Sequence, residues 1–201
     1  MKEIVVASKN KGKINEIRKL FQDFGVEILS LADFGDIPEA PETGDTFLAN
    51  ACQKARYYAR RTGKVALADD SGLVVDALGG EPGVHSARYA KEGASDGENN
   101  AKLLNKLAAL PPEEKGNRAA RFCCAIALAD ADKILATAEG AVEGFIIDES
   151  RGQGGFGYDP FFLLPAYNKT LSEISLDEKN KISHRGLALK KLLAKLPDII
   201  S

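Results

Sequence analysis

Two adjacent carboxylates, Asp69 and Asp70, fall inside an apolar stretch, and no other feature of the chain restricts its folding as much. Val65 to Leu67 read as a buried strand that ends at the acidic pair, and the small residues Ser71 and Gly72 read as a turn opening the next apolar segment, Leu73 to Val75. Neighbouring side chains on a strand point to opposite faces, so one carboxylate can face a ligand while the other braces the turn. Such a place suits a hydrated cation. Asp, Ser and Gly are also ordinary turn residues that bond their own backbone, so Ala68 to Leu73 does not by itself separate a site from a turn.

A chain of 201 residues with 44% hydrophobic content suits one domain, or two small lobes sharing one core, and residues 1–201 read as a single domain. With 27 basic and 29 acidic residues, no overall charge draws the protein to nucleic acid or to anionic lipid, so anion binding has to be local. The longest apolar run, Phe122 to Ala129, is far short of the ~18 residues that span a bilayer. The start, Met1-Lys2-Glu3, lacks the apolar region of a signal peptide, and the expectation is a cytoplasmic protein. Cys52, Cys123 and Cys124 show no metal-ligand spacing and read as small buried hydrophobes.

Residues Glu3 to Ala7 read as a strand, followed by a polar turn and a helix with Ile14, Ile17, Leu20, Phe21 and Phe24 on one face. A second helix is predicted from Asp45 or Thr46 towards Gly63. Asp96 is the expected cap of a helix carrying Leu103, Leu104 and Leu107 that Pro111 and Pro112 terminate. Arg118 to Asp130 and Ile134 to Ile147 read as a hairpin of long strands. Leu189, Leu192, Leu193 and Leu196 mark a last helix, stopped by Pro197. Helices and strands interleave around antiparallel strands, which predicts an α/β fold with a mixed sheet.

Four further polar clusters stand at element edges. Ser8-Lys9-Asn10-Lys11-Gly12-Lys13 lies between a strand and a helix, where free N–H groups and the helix dipole favour phosphate; it lacks the Walker A spacing and also fits a solvated turn. In the second, Glu42 precedes a helix that presents Asn50 and Lys54 one turn apart, a face able to meet metal and phosphate or simply water. The third, Gly152 to Gly157, contains a literal Gly-x-Gly-x-x-Gly, but Tyr158-Asp159-Pro160 breaks the chain where a dinucleotide fold needs a helix. Its glycines would instead let a flat base approach Phe156, unless the segment is a plain flexible loop. In the fourth, Ser183 can cap the last helix with His184 and Arg185 in its first turn, where cations oppose the dipole and hint at a ligand. His85 and Arg88 repeat that pattern more weakly.

Taken in order, Ser-Lys-Asn-Lys-Gly-Lys at 8–13, Glu-Thr-Gly-Asp-Thr-Phe at 42–47, Ala-Asp-Asp-Ser-Gly-Leu at 68–73, Gly-Phe-Gly-Tyr-Asp-Pro at 155–160 and Ser-His-Arg-Gly at 183–186 resemble the inosine triphosphate pyrophosphatase family, also called Ham1-like. The resemblance implies a long mixed β-sheet flanked by helices, two lobes with a central nucleotide cleft, and a homodimer. It implies hydrolysis of ITP, dITP or XTP to the monophosphate and pyrophosphate. It matches Asp70 to the catalytic acid and a metal position, and Glu42 to a second metal position. Ser8, Lys9, Asn10, Lys11, Gly12, Lys13, Lys54 and Ser71 match phosphate-side or substrate contacts; Phe156, Gly157, Tyr158, Asp159, Lys179, His184 and Arg185 match the base side. The chain departs from the family at Ala49, where many relatives carry Glu.

The expected cofactor is Mg²⁺, a hard ion preferring oxygen ligands and retained water, held by Glu42 and Asp70 with Asp69 supporting. The expected partner is a small nucleotide, with neither nucleic acid nor membrane. The alternatives are a pyrophosphatase for other modified nucleotides on the related Maf-like fold and a non-catalytic nucleotide-binding module.

Overall fold

The computed structural model describes residues 2–200, and all of their side chains except those of Lys2, Lys11, Asp23, Asp198 and Ile200. The elements in chain order are β1 (Lys2–Val6), α1 (Lys11–Phe21), β2 (Val26–Ser30), α2 (Phe47–Thr62), β3 (Val65–Val75), α3 (Asp96–Ala108), β4 (Ala119–Ala129), β5 (Ile134–Ile146), β6 (Phe162–Leu164), β7 (Lys169–Thr170), α4 (Leu176–Ile182), α5 (His184–Leu193) and α6 (Leu196–Ile200). Among the described residues seven strands form one mixed sheet in the order β2-β1-β3-β4-β5-β6-β7. β1 is parallel to β2, with Ile4 beside Ile28, and to β3, with Val5 beside Ala66. β6 is antiparallel to β5, with Leu163 beside Phe145, and to β7. The predicted α/β class and mixed sheet are what the chain adopts.

The chain divides into two compact units. The first comprises residues up to Asp70, Cys124–Gly140 and everything from Ser183; the second comprises Ser71–Cys123 and Ala141–Ile182. No described helix is long and apolar enough to cross a membrane.

In the first unit, strand periodicity sorts side chains onto two cores. Ile4, Val6 and Leu67 pack with Ile14, Ile17 and Phe21 of α1 and Leu189 and Leu192 of α5. Val5, Ala66 and Ala68 pack with Ala51, Ala55 and Tyr58 of α2. Each fully buried Ile or Leu contributes about 1.5–3 kcal/mol, so Ile17→Ala alone would remove a large part of the net stability. By the same parity Asp69 belongs to the face of α1 and α5, and Asp70 to the face of α2.

Local sequence fixes the ends of these helices. Asn10 Oδ1 caps α1 by accepting from Lys13 N at 3.1 Å, and Thr46 Oγ1 caps α2 by accepting from Ala49 N at 3.1 Å. Gly63, with φ of 65°, ends α2. α1 stops at Phe21, and Phe24 lies in a following 3-10 turn at 40% exposure rather than on the predicted apolar face. α5 is capped by Ser183 Oγ, which accepts from Gly186 N at 3.2 Å. Gly140 of β5 lets α5 approach, because a Cβ there would stand 2.3 Å from His184 O and 2.6 Å from Ala188 N. Pro197 does not stop α5, which ends at Leu193; the proline sits in the first turn of α6, where its missing N–H costs nothing.

The second unit has its own core, built by Leu73, Val75, Leu103, Leu107, Phe122, Ile146 and Phe162. Ser95, not Asp96, caps α3, with Glu98 completing a reciprocal capping box, and the helix ends at Ala108 before either proline. β3 corrects the opening expectation. It runs unbroken from Val65 to Val75, and Ser71 and Gly72 continue the strand instead of forming a turn. The four-residue link from Asp130 to Lys133 closes the predicted β4–β5 hairpin, with Asp130 N donating to Lys133 O. Of the cysteines only Cys124 is buried; Cys52 and Cys123 are half-exposed.

Candidate active site

On the α1 and α5 face of β3, Asp69 Oδ2 accepts from Arg185 Nε at 3.1 Å and pairs with Lys13 Nζ at 3.0 Å. Arg185 is 1% exposed, and its Nη1 donates to Glu16, another buried carboxylate. Burial raises the pKa of Asp69, but Lys13, Arg185 and Lys54 outweigh it and hold the carboxyl far below the usual range. Arg185 is pushed the other way: burial disfavours its charge, and Asp69 and Glu16 more than offset that cost. The Arg185 charge, which opposes the helix dipole in the first turn of α5, is thus matched by protein carboxylates. Burial, reinforced by Asp69, pushes the Cys124 thiol up and keeps it protonated.

On the α2 face, Asp70 is held less completely. Asn50 Nδ2 donates to its Oδ2 at 3.0 Å, and Lys54 Nζ donates to its Oδ1 at 3.4 Å. The same Lys54 ammonium pairs with Glu42 Oε1 at 2.8 Å. Burial raises the pKa of Asp70, Glu42 adds to the rise, and Lys54, Asn50 and Lys13 do not cancel it. Lys54 is affected oppositely, its burial cost exceeded by attraction to Asp70, Asp69 and Glu42. Asn50 also accepts from Gly44 N at 2.8 Å, tying the Glu42 segment to α2. A Cβ at Gly44 would stand 2.7 Å from Ala49 Cβ and 2.9 Å from Asn50 Oδ1, so only glycine permits this approach.

Glu42 and Asp70 therefore converge on one cation position, taken by Lys54 Nζ. Among the described residues no group of three or more His, Cys, Asp or Glu side chains forms a metal cage. Two hard carboxylates suit a hard ion that keeps water and takes its other ligands from phosphate, and they do not suit a fully protein-ligated metal.

The segment before α1 is ordered by its own side chains: Ser8 Oγ accepts from Asn10 N at 3.1 Å, ahead of the Asn10 cap. Of its lysines, Lys13 turns to Asp69, Lys9 pairs with exposed Glu39 at 3.1 Å, and the Lys11 side chain lies outside the described residues. Gly12 lies in the first turn of α1, and half-buried Ser71 follows Asp70 on β3.

The second unit holds another cluster. Lys179 is 3% exposed and pairs with buried Asp159 at 2.7 Å, and its ammonium lies 4.7 Å from the centre of the Phe156 ring. Asp159 Oδ2 also accepts from Phe156 N at 2.9 Å. Gly155, with φ of 73°, cannot be replaced, because a Cβ would lie 2.2 Å from that carboxylate oxygen. Tyr158 OH donates to Ser86 O at 2.8 Å, and burial pushes its phenol up. Gly157 is held by Asp96 and Asn100 of α3. His184 is buried as the first residue of α5 and, like Arg185, belongs to the first unit.

Sequence reasoning missed Glu16, Asp96 and Asn100 in these arrangements. Glu16 could have been found from its place one turn after Lys13, beside Ile17 and one turn before Leu20 on the helix.

The Ham1 family profile matches residues 4–195. The chain belongs to the Ham1 family. It is 52% identical over 200 residues to the dITP/XTP pyrophosphatase of Geobacillus kaustophilus, covering 100% of this chain and 97% of that one. Among solved structures it is similar to a HAM1 protein from Coxiella burnetii, with TM-score 0.88 and 43% identity over 98% of this chain and 100% of the other. The Ham1 protein of Staphylococcus aureus gives TM-score 0.84 and 42% identity, with 98% and 99% of the two chains covered. Membership in the Ham1 family bears out the resemblance read from the five motifs.

Proposed function

We propose that the chain hydrolyses ITP, dITP and XTP to the nucleoside monophosphate and pyrophosphate, removing non-canonical purines from the nucleotide pool. The observation that carries this reading is the convergence of Glu42 and Asp70 on the Lys54 ammonium, beside a carboxylate whose burial leaves it under-compensated. Relatives named dITP/XTP pyrophosphatase at about half identity support the substrate class.

Glu42 and Asp70 would hold Mg²⁺, which supplies Lewis-acid polarisation of the phosphate oxygens when bound. Asp70 orients a water molecule and accepts its proton as the water oxygen bonds to the α-phosphorus; the α–β anhydride bond breaks, and its electron pair leaves with pyrophosphate. A carboxylate with a raised pKa is the better base for that step. Lys54 and Lys13 offset the charge developing on the leaving group, and the N–H groups at the start of α1 offer further donors. Ser8, Lys9, Asn10, Lys11, Gly12 and Ser71 are assigned to the phosphate side by their match to the family.

Phe156, Gly157, Tyr158, Asp159 and Lys179, with His184 and Arg185, are assigned to the base side on the same ground. Hypoxanthine and xanthine carry an oxygen at position six that accepts from a donor, whereas adenine carries an amino group. A buried donor left facing that amino group costs about 1–3 kcal/mol, which rejects adenine by roughly tenfold to a hundredfold. Balanced charge supports a free nucleotide as substrate in place of nucleic acid, and family resemblance supports a cytoplasmic homodimer.

The test is a panel of ITP, XTP, dITP, GTP and ATP, with and without Mg²⁺, read by pyrophosphate release. The expected result is Mg²⁺-dependent pyrophosphate from the first three. Preference for ATP, or release of orthophosphate, contradicts the assignment.

A further inference from the structure

We propose that Asp96 and Asn100, on the first turns of α3, are positioning residues that set base selectivity by clamping the peptide groups on either side of Gly157. This rests on the proposed function, because it assigns the Gly155–Asp159 loop to the purine base.

The clamp uses both hydrogen-bonding groups of one residue. Asp96 Oδ2 accepts from Gly157 N at 2.7 Å, and Asn100 Nδ2 donates to Gly157 O at 2.9 Å. The two side chains stand four residues apart on α3 and so share a helix face. Gly157 has φ of 63°, and an N–H and a carbonyl both tied to one rigid helix fix the two adjoining peptide planes. On the other side the loop is held by Asp159, whose Oδ2 accepts from Phe156 N and from Lys179 Nζ. Successive peptides beside the Phe156 ring are therefore anchored by Asp96 and Asn100 of α3 and by Asp159, which is itself paired to Lys179 of α4.

Asn100 is buried, and its Oδ1 has no hydrogen-bond partner among the described residues. Its amide is thus oriented by its donor, and the acceptor is left over. The neighbouring Asn99 does different work, accepting from Ala90 N at 2.8 Å and donating to Ala87 O at 3.1 Å, which seats α3 against the Gly83–Tyr89 segment. Seating the helix and clamping the loop are therefore separable functions of adjacent residues. A clamp on peptide planes acts on the alignment of donors and acceptors that distinguish bases, and it leaves the carboxylates of the phosphate side untouched.

The experiment measures kcat and KM for ITP and GTP in the full-length protein with Mg²⁺, together with thermal melting. The variants are Asp96→Ala, Asp96→Asn and Asn100→Leu, with Ser95→Ala as the control that weakens the α3 cap without touching Gly157. Asp96→Ala and Asn100→Leu should raise KM for ITP about tenfold with kcat little changed, and reduce the ITP-to-GTP ratio of kcat/KM about tenfold. Asp96→Asn keeps an acceptor for Gly157 N and should restore most of the ratio. Ser95→Ala should lower the melting temperature and leave the ratio unchanged. The proposal is overturned if the ratio is unaffected by losing either clamp, or if Ser95→Ala shifts it as much. A parent protein releasing no pyrophosphate from ITP would overturn the functional reading itself, and this proposal with it.

Discussion

The two faces of β3 in the first unit carry neighbouring carboxylates in opposite electrostatic conditions. Asp69 meets Lys13 and Arg185, the latter shared with Glu16, and is held as a carboxylate more firmly than in water. Asp70 meets one amide and one longer contact to a lysine that it shares with Glu42, and burial makes its charge costly. Both groups are buried, so burial alone does not distinguish them. What separates them is whether the protein supplies enough positive charge. On the proposed function, the undersaturated face is the one whose remaining demand for positive charge a metal ion would meet.

That contrast breaks most visibly under substitution. Asp70→Asn should lower kcat for ITP by about 10²–10⁴-fold, the usual contribution of a positioned base, while the protein still folds; pyrophosphate release and a thermal melt read both quantities. Asp69→Ala should do the reverse in emphasis. It takes from Lys13 its buried partner and from Arg185 one of its buried carboxylates, leaving Glu16 beside that guanidinium, and should cost about 3–5 kcal/mol in urea unfolding. If Asp69→Ala unfolds no more easily than Asp70→Asn, the two faces are not distinct in this way.

The pH dependence of stability sharpens the same difference, and the two signs are opposite. The folded pKa of Asp69 is depressed, so its contribution is present above the ordinary value of about 3.9 and is lost as pH falls towards the folded value. The folded pKa of Asp70 is raised, so the native state binds the extra proton; that stability is present below about 3.9 and is lost as pH rises through the folded value. The unfolding free energy of the parent, without divalent metal, should therefore fall relative to that of Asp70→Asn as pH rises above about 4, by no more than about 1.4 kcal/mol per pH unit. The smallest effect is expected at exposed Ala49, next to Asn50 on α2. Ala49→Glu should lower the Mg²⁺ concentration for half-maximal activity by at most about tenfold, since one solvent-screened charge is added.

Much of this was legible because it follows from periodicity and punctuation. The 3.6-residue spacing of Ile14, Ile17 and Phe21 and the Thr46 and Gly63 caps give α1 and α2 directly. α4 and β7 were not read, being seven and two residues long and too short to set up a clear period, nor was β2, none of whose residues is fully buried. Ser71-Gly72 resembled a turn because sequence propensity does not register that flanking strands hold such residues in a ladder. At the site, motif order brought Glu42, Lys54 and Asp70 into one set. The pairing of Arg185 with Asp69 and Glu16 joins residues more than a hundred positions apart, and no local pattern encodes it.

The most direct test is a crystal of the protein with Mn²⁺ and a slowly hydrolysed ITP analogue, read by anomalous scattering. The account predicts an ion bound, directly or through water, by Glu42 and Asp70, with Lys54 displaced from its position between them and Asp69 still paired to Arg185. An ion coordinated by Asp69, or a nucleotide bound with no ion near Asp70, would contradict it.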